Sequence, residues 1–416
     1  MTPNSEKIVF VFPSRITEGG MIDDIRHFIE ALSKVHDGEI LLLSEGKPTD
    51  NKAQLDNVVC VDLSLSRNVT SIVEKLTPND ITVFVTFSSF TNVRLAQKIR
   101  ARGLYYTVLP AWQVNDFLDW DRPFARNAVP TVRSSEKNPG QFNNSRSKGV
   151  VEGHKTINGF FRSIKRKTFR RTLGKEFLQN AAGIHVYSSF EQEKITSLIK
   201  LDKPNFLEVS FGTNVEGLRI GGDQYPNDGR KNVVFWGRAD YYYKGLDIIL
   251  DAIALAKNKV SSAPFAVWIC GPDYNNGYSK LRTHIERLQI SDHVRILTPG
   301  DYTPGTIGLL NCADFSILAS RWDGHPRALR ESGSLGVPII CNPNSNFDRT
   351  ISSFRNGLLF DDVHELAEIL ANLDGDEAKT AQINAKIGAA KFRKFFSWEE
   401  CARRFHNSLQ QVKRIP

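Results

Sequence analysis

Apolar and polar positions along this chain follow two periodicities in turn. Short apolar runs bounded by glycine, proline or polar residues are typical of buried strands, and apolar residues at every third or fourth position are typical of helices. The two kinds of segment alternate, which predicts α/β units with parallel sheets covered by helices. The predicted strands are Lys7–Ser14, Glu39–Ser44, Asn57–Leu63, Ile81–Phe87, Leu104–Pro110, Gly183–Ser188, Asn205–Phe211, Asn232–Trp236, Phe265–Gly271, Val294–Leu297, Asp314–Leu318, Val337–Cys341 and Gly357–Phe360.

The length of the chain, 416 residues, predicts two domains, because single cores rarely grow beyond about 250–300 residues. A stretch rich in Gly, Pro and Asn runs from Gly212 to Gly229 and interrupts the alternation. We therefore predict an N-terminal domain over residues 1–215 and a C-terminal domain over residues 216–396. The tail, residues 397–416, is predicted to be a separate helix because Phe396 and Ser397 break the helical pattern.

A basic insert at 111–175 departs from this alternation. Residues 122–175 hold fourteen Lys or Arg and two Glu, so this segment alone exceeds the net charge of +8 of the whole chain. Apolar residues near one helical face at 160–175 predict a basic amphipathic helix, which is typical of binding to an anionic membrane surface. A helix that packs on its own domain and a nucleic-acid patch are the alternatives. The sequence holds no recognised nucleic-acid-binding module, which argues against the last.

Several classes of function are disfavoured by what the sequence lacks. No apolar run is long enough to cross a membrane, and the N-terminus does not resemble a signal peptide. The five cysteines are scattered and lack Cys-x-x-Cys spacing, which indicates a reducing compartment and disfavours a structural zinc site. Glycine-rich dinucleotide and P-loop motifs are absent, as are His-Glu-x-x-His and Gly-x-Ser-x-Gly. We expect a cytoplasmic protein.

The stretch from Asp323 to Glu331 carries the strongest candidate chemistry. It follows an apolar strand, and Pro326 suits the first turn of a helix. Free backbone N–H groups at a helix start bind anions, and one acid lies on each side of this position. This layout suits a ligand with a sugar, a phosphate and a ribose. An ordinary helix with a solvated glutamate is the alternative.

Two further segments carry groups that suit a phosphorylated ligand. Arg238 and Lys244 flank a short loop after the strand Asn232–Trp236, where two cations could meet a diphosphate. Gly19 and Gly20 follow the first strand, where glycines let the backbone approach a ligand closely. Solvated charges and a plain turn are the respective alternatives.

In this order and spacing, the motifs resemble the retaining family-4 glycosyltransferases of GT-B architecture. The resemblance spans nearly the whole chain and is strongest from Asn232 to Phe360. The matching points are Gly19-Gly20, Val209–Asn214, Gly237-Arg238, Lys244–Asp247, Asp323–Pro326 leading to Glu331, Gly336–Ile340, Gly357–Leu359 and Phe396–Trp398. It implies two Rossmann-like doubly wound domains facing an interdomain cleft, with the tail helix crossing back to the first.

The resemblance also implies a role for each matching residue. Arg238 and Lys244 would neutralise a leaving diphosphate without a metal or cofactor. Asp323 would contact hydroxyls of the donor sugar, and Glu331 would bind those of the ribose. The remaining donor-binding positions implied are Gly19, Gly20, Gly237, Gly324, His325 and the backbone amides of Arg327 and Ala328.

Three positions depart from the family pattern. Asp323 is one methylene shorter than the usual Glu, and Pro326 stands where a small residue is common. The family often has a His after the fifth strand, whereas no His lies between His36 and His154 here. The missing His is a departure on the acceptor side of the site, whereas Asp323 and Pro326 belong to the donor side.

The resemblance implies a retaining hexosyltransferase in the assembly of a polysaccharide or glycolipid, and the basic segment 160–175 predicts that it acts at the inner face of the membrane. Its partners would be a nucleotide diphosphate sugar and a glycan or lipid-linked acceptor. Two alternatives remain on the same architecture. One is a non-hydrolysing nucleotide-sugar epimerase, and the other is a catalytically weak subunit of a glycan-assembly complex.

Overall fold

A computed structural model describes most of the chain. The described residues are 6–12, 20–44, 57–62, 73–85, 90–109, 174–213, 229–259, 264–298, 309–310, 312–321, 323, 326–343 and 348–412. Among the predicted features, Gly19, Gly324, His325 and residues 111–173 of the basic insert lie outside them.

The chain divides into two compact units. The first contains the described residues up to Leu109, residues 174–209 and the tail from Arg403 onward. The second contains the described residues from Ser210 to Ala402. The division at Val209 and Ser210 lies six residues before the boundary predicted from the sequence.

The first unit is built on a seven-stranded sheet. Its elements are β1 (Ile8–Val11), α1 (Gly20–Val35), β2 (Ile40–Ser44), β3 (Val58–Asp62), β4 (Ile81–Phe84), α2 (Phe90–Ala101), β5 (Tyr105–Val108), α3 (Lys175–Gln179), β6 (Gly183–Val186), α4 (Ser189–Ile199) and β7 (Phe206–Glu208). The strand order is β3-β2-β1-β4-β5-β6-β7. Every pairing is parallel, with Ile8 opposite Ile40 on one side and Ile81 on the other.

The second unit is built on a six-stranded sheet. Its elements are β8 (Lys231–Trp236), β9 (Ala239–Asp240), α5 (Leu246–Lys257), β10 (Phe265–Cys270), β11 (Asp273–Tyr274), α6 (Gly277–Leu288), β12 (Val294–Leu297), β13 (Phe315–Leu318), α7 (Arg327–Leu335), β14 (Ile339–Cys341), α8 (Asp348–Phe354), β15 (Gly357–Leu359), α9 (Val363–Ala371) and α10 (Asp376–Phe395). The last helix, α11 (Trp398–Val412), begins in the second unit and belongs to the first from Arg403 onward. The order is β12-β10-β8-β13-β14-β15, again all parallel. The short strands β9 and β11 pair separately.

The inner strands are mostly apolar because a parallel sheet is covered on both faces. All four residues of β1 and all six of β10 are buried. The tail contributes to the first core, since Phe405 of α11 packs against Phe10 and Phe28 with ring centroids 6.1 and 5.1 Å apart. The predicted break before α11 is confirmed, because α10 ends at Phe395 and α11 begins at Trp398.

Both sheets reverse their strand order at one point. In each, the first strand in sequence lies between the second and the fourth, which is the doubly wound order. Ligands of such sheets bind outside the carboxyl ends of the strands at this reversal. In the second unit the reversal lies between β8 and β13. The predicted α/β fold with two Rossmann-like domains is confirmed.

Among the described residues, no helix has the combined length and apolarity that crossing a bilayer requires.

Candidate functional site

The loop after β8 lies at the reversal point of the second sheet. Gly237 has a φ of +151° and Gly245 a φ of +64°, so both ends of the loop adopt backbone conformations that favour glycine. A Cβ at Gly245 would lie 1.8 Å from the carbonyl oxygen of Ala319. The loop after β8 therefore lies directly against the segment that follows β13.

Lys244 and Asp323 form an ion pair at this contact. The Lys244 ammonium donates to Asp323 Oδ2. Their side chains are 20% and 15% exposed, so the pair is largely shielded from solvent. The sequence assigned these two residues to different parts of one ligand, and the structure makes each the partner of the other.

Arg238 lies on the outer side of the same loop. Its Nη2 is 3.6 Å from Asp240 Oδ2, and its guanidinium lies 4.1 Å from the centre of the Tyr274 ring. The side chain remains 49% exposed. Arg238 is thus a positioned cation that still faces solvent.

Arg321 fixes the loop after β13 to the start of α5. Its two terminal nitrogens each donate to one oxygen of Asp247 at 2.7 Å. Nη1 also donates to the Tyr242 carbonyl at 2.6 Å, and the guanidinium lies over the Tyr242 ring. Such a two-pronged pair restricts geometry more than a single contact does, so Arg321 holds Asp323 and Lys244 in register.

A buried chain of hydrogen bonds supports the loop from behind. Tyr241 donates its hydroxyl to His284 Nδ1 at 2.7 Å, and His284 Nε2 donates to Asp251 Oδ1 at 3.0 Å. Burial, with the nearby Asp247 and Asp251, raises the pKa of Tyr241. The phenol therefore stays protonated and serves as a donor across the physiological pH range.

Helix α7 brings the second acid to the site. Pro326 precedes it with extended backbone and offers no side-chain cap, so the first N–H groups of α7 can donate to an anion. One turn further in, Glu331 accepts from Trp236 Nε1 at 3.1 Å and from Arg327 Nε at 2.9 Å. Trp236 ends β8, so Glu331 ties α7 to the same strand that leads to Arg238.

Residues after β7 anchor the opposite face of α7. Arg330 is almost fully buried and donates to the carbonyl of Gly212. A Cβ at Gly212 would lie 2.6 Å from the Cα of Trp398, and Thr213 N donates to the Phe396 carbonyl at 2.7 Å. The segment that matched the family pattern at Val209–Asn214 thus helps to position α7.

The structure brings most of the predicted donor-site residues together in the second unit. Gly237, Arg238 and Lys244 follow β8, while Asp323 and the start of α7 with Arg327, Ala328 and Glu331 follow β13. Gly20 begins α1 in the first unit.

Sequence reasoning missed three residues that organise this site. They are Trp236, Arg321 and Arg330. The available signals were their positions: Trp236 ends a predicted strand, Arg330 lies inside the stretch from Asp323 to Glu331, and Arg321 lies just before it. Their partners are about 75 to 120 residues away in the sequence, so no local pattern could have shown the contacts.

Comparison with protein-family models gives one match. Residues 222–387 match the family described as glycosyl transferases group 1. This segment contains every described site residue of the second unit. No curated protein sequence matches the chain.

Several solved structures share the fold over nearly the whole chain. Sucrose-phosphate synthase from Thermosynechococcus elongatus is similar with a TM-score of 0.66 at 15% identity, covering 98% of this chain and 99% of that one. HepE of Anabaena in complex with UDP-glucose gives 0.59 at 14%, covering 97% and 99%. A protein from E. coli described as trehalose-6-phosphate bound with UDP-2-fluoro glucose gives 0.60 at 12%, covering 99% of each.

These structures share the GT-B architecture, and their identity to this chain is low enough that the likeness shows the fold alone. The family match supplies independent support from sequence, because it falls on the unit that carries the candidate site. Together they support a glycosyltransferase of GT-B fold.

Proposed function

We propose that this protein is a retaining glycosyltransferase. It moves a hexose from a nucleotide diphosphate sugar to a glycan or lipid-linked acceptor and needs no metal ion for the transfer. The observation that carries the proposal is the cluster of Lys244, Asp323 and Glu331 around the start of α7, at the reversal point of the second sheet.

The donor diphosphate is assigned to the cationic side of this cluster. Arg238 and Lys244 supply two positive charges, and the backbone amides of Arg327 and Ala328 supply the N–H groups at the start of α7. Fixed charges and dipoles stabilise a developing anion strongly because they need little reorganisation during the reaction. These groups can therefore perform the charge neutralisation that a metal ion provides in other enzymes.

The two acids are assigned to the two ends of the donor. Asp323 contacts hydroxyls of the transferred sugar once Lys244 turns toward the diphosphate. Glu331, which Trp236 and Arg327 orient, accepts the ribose hydroxyls.

The reaction breaks the bond between the anomeric carbon and the β-phosphate oxygen, and the electron pair leaves with that oxygen. The acceptor hydroxyl oxygen forms the new bond to the same face of the anomeric carbon. Its proton passes to the leaving phosphate, so no side chain of the first unit is required as a base. This route fits a chain without the His that the family often has after the fifth strand.

UDP-sugars are the first donors to test. HepE of Anabaena binds UDP-glucose, and the E. coli protein binds UDP-2-fluoro glucose. We extend this donor class to the present chain on the shared fold and on the site described above.

The experiment is a thermal-shift panel of nucleoside diphosphates and their sugars, followed by transfer assays with the donor that binds. A ligand at about 100 times its Kd stabilises the folded state by about 2.7 kcal/mol. Lys244→Ala and Glu331→Ala should lose the shift and the transfer. Lys257→Ala, on the far part of α5, should keep both.

The result decides between the three candidates. Failure of every nucleotide sugar to bind, or full transfer by both variants, rejects the assigned site. Conversion of the donor without an acceptor identifies an epimerase. Binding without turnover on a broad acceptor panel identifies a non-catalytic subunit.

Membrane binding by the basic segment is also part of the proposal. The basic segment 160–175 is assigned to the anionic inner face of a membrane, on the cytoplasmic side, where each basic residue contributes about 1 kcal/mol of attraction. Sedimentation with anionic liposomes should weaken with salt. Charge reversal at Lys165, Arg166 and Lys167 should abolish it, and unchanged sedimentation of that variant rejects the assignment.

A further inference from the structure

Three side chains from distant parts of the sequence meet in the first unit. Glu6 lies just before β1, His36 follows the end of α1, and His406 lies in α11. One ligand atom from each lies within 4.8 Å of the others. We propose that these residues form a transition-metal site and that Zn²⁺ is the ion it suits best.

The distance between the two imidazoles fits tetrahedral coordination. His36 Nδ1 and His406 Nε2 are 3.3 Å apart. Two nitrogens that each lie about 2.0–2.1 Å from a tetrahedral Zn²⁺ are about 3.3–3.4 Å from each other. The nitrogens therefore already have the separation that the ion requires.

The hydrogen bond of His36 Nε2 selects the tautomer that binds a metal through Nδ1. Its Nε2 lies 3.1 Å from the backbone carbonyl of Glu6. A carbonyl can only accept, so Nε2 of the neutral ring carries the proton and Nδ1 presents its lone pair toward His406. A second hydrogen bond of this kind, which orients a histidine ligand, is typical of metal sites.

Neighbouring groups hold His36 in this position. Asn57 Nδ2 lies 3.1 Å from the His36 carbonyl and also donates to the carbonyls of Ser33 and Gly38. A Cβ at Gly38 would lie 1.8 Å from the Glu6 carbonyl and 2.6 Å from His36 Nε2. The loop after α1 is therefore shaped to bring His36 against Glu6.

The carboxylate of Glu6 is oriented from the same helix that carries His406. Gln410, one turn further along α11, donates its amide to both oxygens at 3.0 and 3.1 Å. His406 and Gln410 are four residues apart and thus share a helix face. One face of α11 therefore supplies the ligand His406 and also Gln410, which orients the ligand Glu6.

The set of ligands selects the kind of ion. Two imidazoles and one carboxylate suit Zn²⁺ and related transition metals, whereas Ca²⁺ and Mg²⁺ prefer oxygen ligands. A water molecule would complete a four-coordinate shell. Nε2 of His406 would bind the ion through its lone pair, so the proton of its neutral ring would lie on Nδ1.

The position of the site assigns it a structural role. It lies at the amino end of β1, whereas ligands of doubly wound sheets bind at the carboxyl ends. The ion joins α11 to β1 and to the end of α1, and so fastens the tail helix to the first unit. It uses no cysteine, which explains why cysteine spacing gave no sign of it.

The test uses the full chain after treatment with a chelator and dialysis. The wild type should bind one equivalent of Zn²⁺, and its Tm should rise with the logarithm of Zn²⁺ concentration. His36→Ala and His406→Ala should lose the binding and the shift. His364→Ala, which removes an exposed histidine on α9, should keep both.

A second pair of measurements does not depend on removing a ligand. Gln410→Ala retains all three ligands and should weaken Zn²⁺ binding about 10–100-fold. Co²⁺ bound to the wild type should give the intense visible absorption of a tetrahedral complex. Equal Zn²⁺ shifts in the wild type, His406→Ala and Gln410→Ala, or a weak octahedral Co²⁺ spectrum, overturn the proposal.

Discussion

Gly245 shows how a single residue can fix the geometry of the site. Its φ of +64° and its closeness to the Ala319 carbonyl both exclude a side chain. We expect Gly245→Ala to lower the free energy of unfolding by at least about 1–3 kcal/mol, because left-handed strain alone has that magnitude. Urea denaturation followed by circular dichroism measures it.

Gly388 provides the matched control. It lies within α10, and a Cβ there meets nothing within 4 Å. Gly388→Ala should therefore stabilise the protein by about 0.5–1 kcal/mol, because alanine loses less entropy than glycine in a helix. Similar effects of the two substitutions would contradict the assignment of strain to Gly245.

His185 should make the free energy of unfolding depend on pH. Burial lowers its pKa from 6.5 to about 3, so the folded state keeps the ring neutral while the unfolded chain takes up a proton. This contribution is fully present above pH 6.5 and is lost as pH falls from there toward 3, by up to about 1.4 kcal/mol per pH unit. His185→Phe should remove this slope, and His27→Phe, at an exposed site, should keep it.

Glu191 should give the free energy of unfolding the opposite dependence on pH. Burial raises its pKa from 4.5 to about 7, although the Tyr187 amide donates to the carboxylate at 2.7 Å. Its contribution is greatest below pH 4.5 and is lost as pH rises from 4.5 to 7. Glu191→Gln keeps an acceptor for the amide and should flatten this limb in the same denaturation series. A variant with the wild-type slope would show that another group titrates.

At the scale of elements, the pair of Arg321 and Asp247 joins the loop after β13 to the start of α5. Both side chains are nearly buried, at 8% and 13% exposure. Arg321→Met leaves a buried carboxylate without its partner, and we expect a loss of about 3–5 kcal/mol in stability. Denaturation midpoints in urea provide the measurement.

An exposed pair supplies the comparison for Arg321. Lys34 and Glu30 lie four residues apart on α1, with side chains 67% and 42% exposed. Lys34→Met should cost no more than about 0.5 kcal/mol. If Arg321→Met lowers the free energy of unfolding equally little, the pair of Arg321 and Asp247 does not hold the loop after β13 against α5.

The elements themselves could largely be predicted from the sequence, because burial on both faces of a parallel sheet produces continuous apolar runs such as Phe265–Cys270. Helix α8 and the paired strands β9 and β11 were not predicted. The two strands have two residues each and carry no periodicity, and their pairing depends on Gly237 and Gly271 bringing the backbones together. Their existence follows from tertiary contact rather than from local pattern.

The residues of the candidate site could be predicted from the sequence, but the contacts between their side chains could not. The pattern located Asp323, Glu331 and Lys244 near strand ends, because parallel strands bring their carboxyl ends to one edge. It could not show that Lys244 pairs with Asp323. Nor could it place His406 beside His36, since 370 residues separate them.

At the scale of the whole molecule, the two proposed ligands should act on different units. Hydrogen exchange can separate them, since a donor nucleotide should slow exchange at 237–245 and 326–335. Zn²⁺ should slow exchange around His36 and along 403–412 instead. Each effect should be absent in Glu331→Ala and His406→Ala, respectively, and protection of the same peptides by both ligands would contradict the separation.

The ion pair between Lys244 and Asp323 has a further consequence for the proposed enzyme. Asp323 competes with any phosphate for the Lys244 ammonium, so a ligand must offer the carboxylate a new partner in exchange. A nucleotide sugar does so through its hydroxyls, whereas the released nucleoside diphosphate does not. Product inhibition should therefore be weak relative to donor affinity, and Asp323→Asn should make it stronger, which the ratio of Ki to KM would measure.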